Sequence, residues 1–174
     1  SFVDLMNGDI SVESEPGKGT CFTVEISCRK VPEEELQQQM EEQPENVSLA
    51  GRRLLLAEDN GLNAEIAMTI LQDAEAEVEL AADGKIAVDM LKDAPEGYYD
   101  AVLMDIQMPN MNGYQATRAI RKLPDERAKI PIIAMTANAF EEDRQAALAA
   151  GMDDYVAKPV EISELFRTIM KNLK

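Results

Sequence analysis

The chain has 174 residues, 45% apolar and 29% charged, room for one full domain plus a remnant but not for two ordinary domains. Its net charge of −16 argues against nucleic acid as a partner, because that binding rests on clustered Lys and Arg. No apolar run approaches the ~18 residues that span a membrane, no secretory leader is expected from the start of the chain, and no histidine is present to form a Ser-His-Asp triad, a Cys/His zinc site or a phosphohistidine.

Residues 1–30 open with a short segment and then a hairpin. Asp9 to Ser14 alternates, with Ile10 and Val12 on one face. Pro16-Gly17-Lys18-Gly19 is a turn cluster, and Phe22, Val24 and Ile26 repeat with period two in a second strand. Cys21 and Cys28 are too few for a disulfide framework and fit thiols in a reducing cytoplasm. A lone hairpin is marginal in water, so this one reads as the end of something larger, and its apolar face is expected to contact the rest of this chain or a second chain.

Residues 31–50 hold six Glu and no Lys or Arg, with Pro32 and Pro44 around the most polar part. This composition cannot build a core and reads as an acidic linker.

From residue 51 the pattern changes. Leu54-Leu55-Leu56-Ala57 is a strand covered on both faces. Leu62, Ile66 and Ile70 then recur at helical spacing, and Val78 to Ala82 is a second strand. Asp83-Gly84 opens a helix with Ile86, Met90 and Ala87, Leu91 paired at i, i+4. Asp100 to Met104, Pro131 to Met135 and Tyr155 to Ala157 are three further strands. Helices fall over Gly113 to Leu123 and Phe140 to Ala150, the latter stopped by Gly151. The last helix carries Ile162, Leu165, Phe166, Ile169, Met170 and Leu173. Five strands alternating with five helices predict a doubly wound parallel α/β sheet over 51–174.

Open parallel sheets form sites beyond the carboxyl ends of their strands. There the sequence places Glu58-Asp59 after the first strand, Asp105 after the third, Thr136 after the fourth and Lys158 after the fifth. The second strand ends only in Ala81-Ala82-Asp83. Crowded carboxylates repel, and a hard divalent cation such as Mg²⁺ relieves this while keeping several waters. A carboxylate is also a nucleophile toward phosphorus, with the metal, the Lys158 ammonium and the Thr136 hydroxyl sharing the charge of the transferring group. Gly17-Lys18-Gly19-Thr20 lacks the full phosphate-loop spacing, so nucleotide is not the expected phosphate source.

These residues resemble the receiver domains of two-component signalling. Leu54 through Asn60 look like the family's strand and acidic pair, and Met104-Asp105-Ile106-Gln107-Met108-Pro109-Asn110-Met111-Asn112-Gly113 looks like its phosphoacceptor loop. Ile133 through Ala137 and Asp154-Tyr155-Val156-Ala157-Lys158-Pro159 look like its hydroxyl and lysine motifs. The resemblance implies a flavodoxin-like sheet in order 2-1-3-4-5. It implies Asp105 as phosphoacceptor, Mg²⁺ held by Glu58, Asp59, Asp105 and the backbone carbonyl of Gln107, and Lys158 on the phosphoryl oxygens. Thr136 and Tyr155 would be the switch pair, the Lys158-Pro159 bond would be cis, and Gln107 and Asn138 would flank the site. The output surface is expected near the fourth strand, fourth helix and fifth strand.

Residues 3–20 are similar to the tail of the ATP-binding domain of sensor histidine kinases, without its nucleotide boxes. The order of kinase tail (1–30), linker (31–50) and receiver (51–174) implies the C-terminal part of a bacterial hybrid sensor kinase. Its phosphodonor or acceptor would be a kinase core or histidine phosphotransfer domain. The expected location is cytoplasmic, with no direct membrane contact by this part and room for an inner-membrane anchor in the parent. Two alternatives remain: a pseudo-receiver that docks without phosphorylation, and an aspartate-nucleophile phosphohydrolase. The latter usually carries a second Asp two residues after the nucleophile, where this chain has Gln107.

Overall fold

The computed structural model describes residues 8–15, 17, 19–25, 48–137 and 141–173, the side chains of 141–143 excepted. The chain divides into two compact units, residues 1–43 and 44–174.

In the first unit, β1 (Asp9–Glu15) and β2 (Gly19–Glu25) form an antiparallel hairpin. Gly17 and Gly19 take left-handed φ values in the turn, which suits glycine. Ile10 faces Val24 and Val12 faces Phe22, so four apolar side chains share one face, all exposed. Ile26 and Cys28 lie outside the described residues, as does the linker up to Val47.

The second unit is the α/β domain that the alternating pattern predicts. Its strands are β3 (Arg53–Ala57), β4 (Glu77–Ala81), β5 (Ala101–Asp105), β6 (Ile132–Thr136) and β7 (Asp154–Ala157). They are all parallel, in the order β4-β3-β5-β6-β7. Between and after them come α1 (Gly61–Asp73), α2 (Gly84–Asp93), α3 (Gly113–Ile120), α4 (Glu141–Ala150) and α5 (Ile162–Asn172). A short 3-10 helix, Glu126–Lys129, was not expected from the periodicity.

Period-two alternation divides the core between the two faces of the sheet. Leu54, Leu56, Leu103, Ile133, Met135 and Val156 pack with Ala67 and Leu71 of α1 and with Leu165 and Ile169 of α5. Leu55, Ala57, Val102, Met104, Ile132 and Ala134 pack with Ala87, Val88 and Leu91 of α2, Ala116 and Ile120 of α3, and Ala147 of α4. Leu49 belongs to the domain and not to the linker side: it is fully buried, and its N–H donates to Ala74 O at 2.7 Å.

Three helices depart from their sequence pattern; in α2, Ala87, Val88 and Leu91 are buried while Ile86 is exposed. In α1 the buried positions are Ala64, Ala67 and Leu71, whereas Leu62 and Ile66 are 66% and 49% exposed. Small alanines let the helix lie close to the sheet. Its first turns begin at the carboxyl edge, where no strand remains to cover Leu62. In α5, Leu165, Phe166, Thr168 and Ile169 are buried, and Ile162 and Met170 flank that face exposed.

Arg121, a residue the sequence pattern did not single out, ties the ends of several elements together. Its guanidinium donates to Gly151 O, Ala128 O and Ile130 O at 2.8 Å each, and to Asp153 Oδ2 at 2.7 Å. Asp153 Oδ2 in turn accepts from the N–H of Ile132, which opens β6. Among the described residues, no helix is long and apolar enough to cross a membrane.

Candidate functional site

Strand β4 is at the edge, and the four inner and far strands deliver their polar residues to one end of the sheet. Glu58 directly follows β3, and its N–H donates to Ala81 O at 3.0 Å. Asp105 is the last residue of β5 and Thr136 the last of β6. Lys158 follows β7, and its N–H continues the pairing to Thr136 O at 2.7 Å. The Lys158-Pro159 bond is cis. Asp105 and Thr136 therefore sit one residue earlier relative to their strands than the sequence pattern suggests, inside the ladder and more firmly held.

Lys158 joins the group together. Its Nζ donates to Glu58 Oε2 at 2.6 Å and lies 2.8 Å from Asp105 Oδ2. Burial by itself pushes the Lys158 pKa down, but the hydrogen bonds it donates to Asp105 and Glu58 outweigh it and the net shift is upward. The side chain is thus an ammonium at neutral pH, held between two buried carboxylates. Glu58 is fully engaged: Oε1 accepts from the N–H of Asn60 at 3.3 Å and from Asn63 Nδ2 at 3.2 Å. Asn63 was not singled out by its sequence; its place on the first turn of α1, three residues past the Asn60 cap, is the signal that points it back to Glu58.

Glu58, Asp59 and Asp105 each offer an oxygen, all within 4.8 Å of one another, with Asp59 the exposed member. An all-oxygen, anionic donor set of this size fits a hard divalent cation and not a soft one. The N–H of Gln107 donates to Asp105 Oδ1 at 3.2 Å, so the loop after β5 folds back over the carboxylate. Gly113 makes that fold possible. A Cβ there would lie 2.3 Å from Asp105 O, so the start of α3 could not otherwise approach the strand end. Asn112 caps α3 in a capping box with Gln115.

Tyr155 packs half-buried against the core, with the Arg144 guanidinium 5.7 Å from its ring centroid. Asn138 lies outside the described residues. Beside Glu58 and Lys158 opens a cleft of about 460 Å³, walled by Asn63, Ile66, Met135, Pro159 and Val160.

A doubly wound parallel sheet in this strand order, with three carboxylates, a lysine and a threonine gathered at its carboxyl edge, defines a flavodoxin-like fold built around an acidic, cation-ready centre. The model of the response regulator receiver domain matches residues 54–170, and the chain belongs to that family. The aerobic respiration control sensor protein ArcB of Escherichia coli K12 is 39% identical over 166 residues, 95% of this chain and 20% of that protein. The chain thus spans about a fifth of the length of the sensor proteins it matches. Among solved structures, the receiver domain of sensor histidine kinase PA1611 from Pseudomonas aeruginosa PAO1 superposes with a TM-score of 0.64 at 42% identity. It covers 71% of this chain and 98% of that one, and was solved with a magnesium ion coordinated in the active-site cleft. The receiver domain of Ssk1 from Saccharomyces cerevisiae, in complex with the histidine phosphotransfer protein Ypd1, has a TM-score of 0.62 at 30% identity over 70% of this chain and 88% of its own.

Proposed function

We propose that Asp105 accepts a phosphoryl group from a phosphohistidine on a partner and that this switches the surface of the domain in a phosphorelay. The observation that carries this reading is the Lys158 ammonium, bridging Asp105 Oδ2 and Glu58 Oε2 beside exposed Asp59. A carboxylate oxygen of Asp105 forms the new O–P bond as the P–N bond to the donor imidazole breaks. The electron pair leaves with the nitrogen, which takes up a proton. Lys158 is placed to stay with the phosphoryl oxygens, as in electrostatic catalysis of acyl and phosphoryl transfer. Thr136 ends the neighbouring strand and would turn its hydroxyl to the product phosphate, and Tyr155 would follow it.

Mg²⁺ suits the donors present. Asp59, Asp105 and the Gln107 carbonyl would hold it, with Glu58 supporting, and it would offset charge on the phosphoryl oxygens. Support comes from the oxygen cluster and from the magnesium in the PA1611 receiver domain.

The donor is read as a kinase core or a histidine phosphotransfer domain, since this chain has no histidine. The Ypd1 complex of a similar receiver supports that class of partner. The exposed Leu62 and Ile66 beside the cleft are the apolar surface on which such a partner would rest. The similarity to ArcB reaches well beyond the residues that the receiver model matches. This supports residues 1–30 as the tail of a kinase ATP-binding domain and 31–50 as the linker of a hybrid sensor kinase; a cytoplasmic location belongs to the same proposal.

Incubation with acetyl phosphate and Mg²⁺ tests the reading. A hydroxylamine-labile phosphate is expected, present in the parent chain and absent from Asp105→Ala. No label, or equal label on the variant, would favour the pseudo-receiver. Multiple turnover on phosphate monoesters would favour a phosphohydrolase, which Gln107 in the second acidic position argues against.

A further inference from the structure

The turn between β4 and α2 belongs to the strand that delivers nothing to the acidic edge, yet it is fastened to the loop that follows Asp105. Asp83 is only 7% exposed. Its Oδ1 accepts from the N–H of Ile86 at 2.8 Å and caps α2, a task one oxygen completes. Its Oδ2 accepts from Asn110 Nδ2 at 2.8 Å. One residue on, the Gly84 N–H donates to Met111 O at 3.1 Å, and a Cβ on Gly84 would lie 2.4 Å from that oxygen.

The loop itself is tightly wound between these fastenings. Asn110 has a φ of 60°, a left-handed conformation that Asn tolerates better than most residues. The Met111 N–H donates to Pro109 O at 2.6 Å, and the Gly113 N–H to Ile106 O at 3.0 Å. Residues 106–113 are thus closed against Asp105 at their far end and against the start of α2 at Asn110 and Met111.

We propose that Asp83 is a positioning residue for the Asp105 centre, holding the 106–112 loop through Asn110 so that the Asp105 carboxylate and the Gln107 backbone stay aimed at one cation. The inference rests on the reading of Asp105 as phosphoacceptor. It assigns a role to the one strand end that the edge pattern leaves without chemistry. The bond is local in effect but long in sequence, 27 residues, and it joins the same two loops that the Gly84 N–H to Met111 O bond fastens.

The test uses the full chain and four variants. Asp83→Ser keeps a cap for α2 but cannot reach Asn110. Asn110→Gly keeps the left-handed backbone but loses the amide. Their double variant and Asp83→Asn, which regains the bond if the Asn110 amide turns over, complete the set. Mg²⁺ affinity by calorimetry, Asp105 labelling rate with acetyl phosphate, and thermal midpoint are measured on each.

Asp83→Ser and Asn110→Gly are each expected to weaken Mg²⁺ binding and slow labelling about five- to tenfold, the worth of one hydrogen bond. The double variant should lose no more than either single, and Asp83→Asn should stay within about twofold of the parent. Parent-like Mg²⁺ affinity and labelling in folded Asp83→Ser or Asn110→Gly would overturn the proposal, as would losses that multiply in the double variant. If Asp83→Ser does not fold, Asn110→Gly on the exposed loop decides. A parent chain that takes no label refutes the phosphoacceptor reading, and the Mg²⁺ measurements still judge the Asp83 clamp.

Discussion

Lys158 holds two carboxylates at once, and its charge works in opposite directions on the two ligands this centre would take. The ammonium repels a divalent cation and attracts a phosphoryl group. Lys158→Met is therefore expected to bind Mg²⁺ at least as tightly as the parent while Asp105 labelling slows by roughly a hundredfold or more, read by calorimetry and by acetyl phosphate labelling. Thr117 makes a different point. Its Oγ1 is buried in α3 without a hydrogen-bond partner, a cost with no visible compensation. Thr117→Val keeps the shape and removes the orphan hydroxyl, so urea denaturation should show it more stable than the parent by about 1 kcal/mol.

At the scale of the element, α1 is where sequence and structure part. Leu62, Ile66 and Ile70 form a regular helical stripe, but Ala64, Ala67 and Leu71 are what the sheet covers. Periodicity identifies a helix and its length; it does not weigh two alanines that fit close to a sheet against Leu62 and Ile66, which do not. The same misfit leaves Leu62 and Ile66 exposed next to the acidic edge. Leu62→Asp is expected to slow phosphotransfer from a phosphorylated histidine domain at least tenfold, while labelling by acetyl phosphate continues. Parallel time courses with the two donors check this. The site itself was far more legible. Glu58, Asp59, Asp105, Thr136 and Lys158 each follow or close an apolar run, so strand ends alone bring them to one edge. Asn63, Asp83 and Asn110 were harder, because their partners are set by loop paths and not by period. Arg121 was invisible for the same reason: its acceptors are three backbone carbonyls and the Asp153 carboxylate, brought in by two separate segments.

Across the whole domain, several carboxylates are held below their usual range. Hydrogen bonds from the Ile86 N–H and Asn110 pull Asp83 down. At Asp154, burial pushes up, but Lys171, Asn172 and the Tyr155 N–H prevail. Asp125, bonded to Arg127, and Glu161, bonded to Ser163, move the same way. A folded pKa below the unfolded value of about 4 gives stability that is full above that value and is lost as pH falls through the folded one. Lys158, shifted upward, contributes below about 10.4 and loses its share only as pH rises through its raised value. The thermal midpoint should therefore be level near neutrality and fall below about pH 4, with a shallower acid decline in Asp154→Asn.

The account stands on Asp105 being the atom group that receives phosphate. The direct measurement is mass-spectrometric mapping of the chain after incubation with a phosphorylated histidine phosphotransfer domain, with and without Mg²⁺. The account predicts one phosphoryl group, Mg²⁺-dependent, on the peptide that carries Asp105. Phosphate on Asp59 or elsewhere, or no transfer from any histidine donor while the chain remains folded, would contradict it.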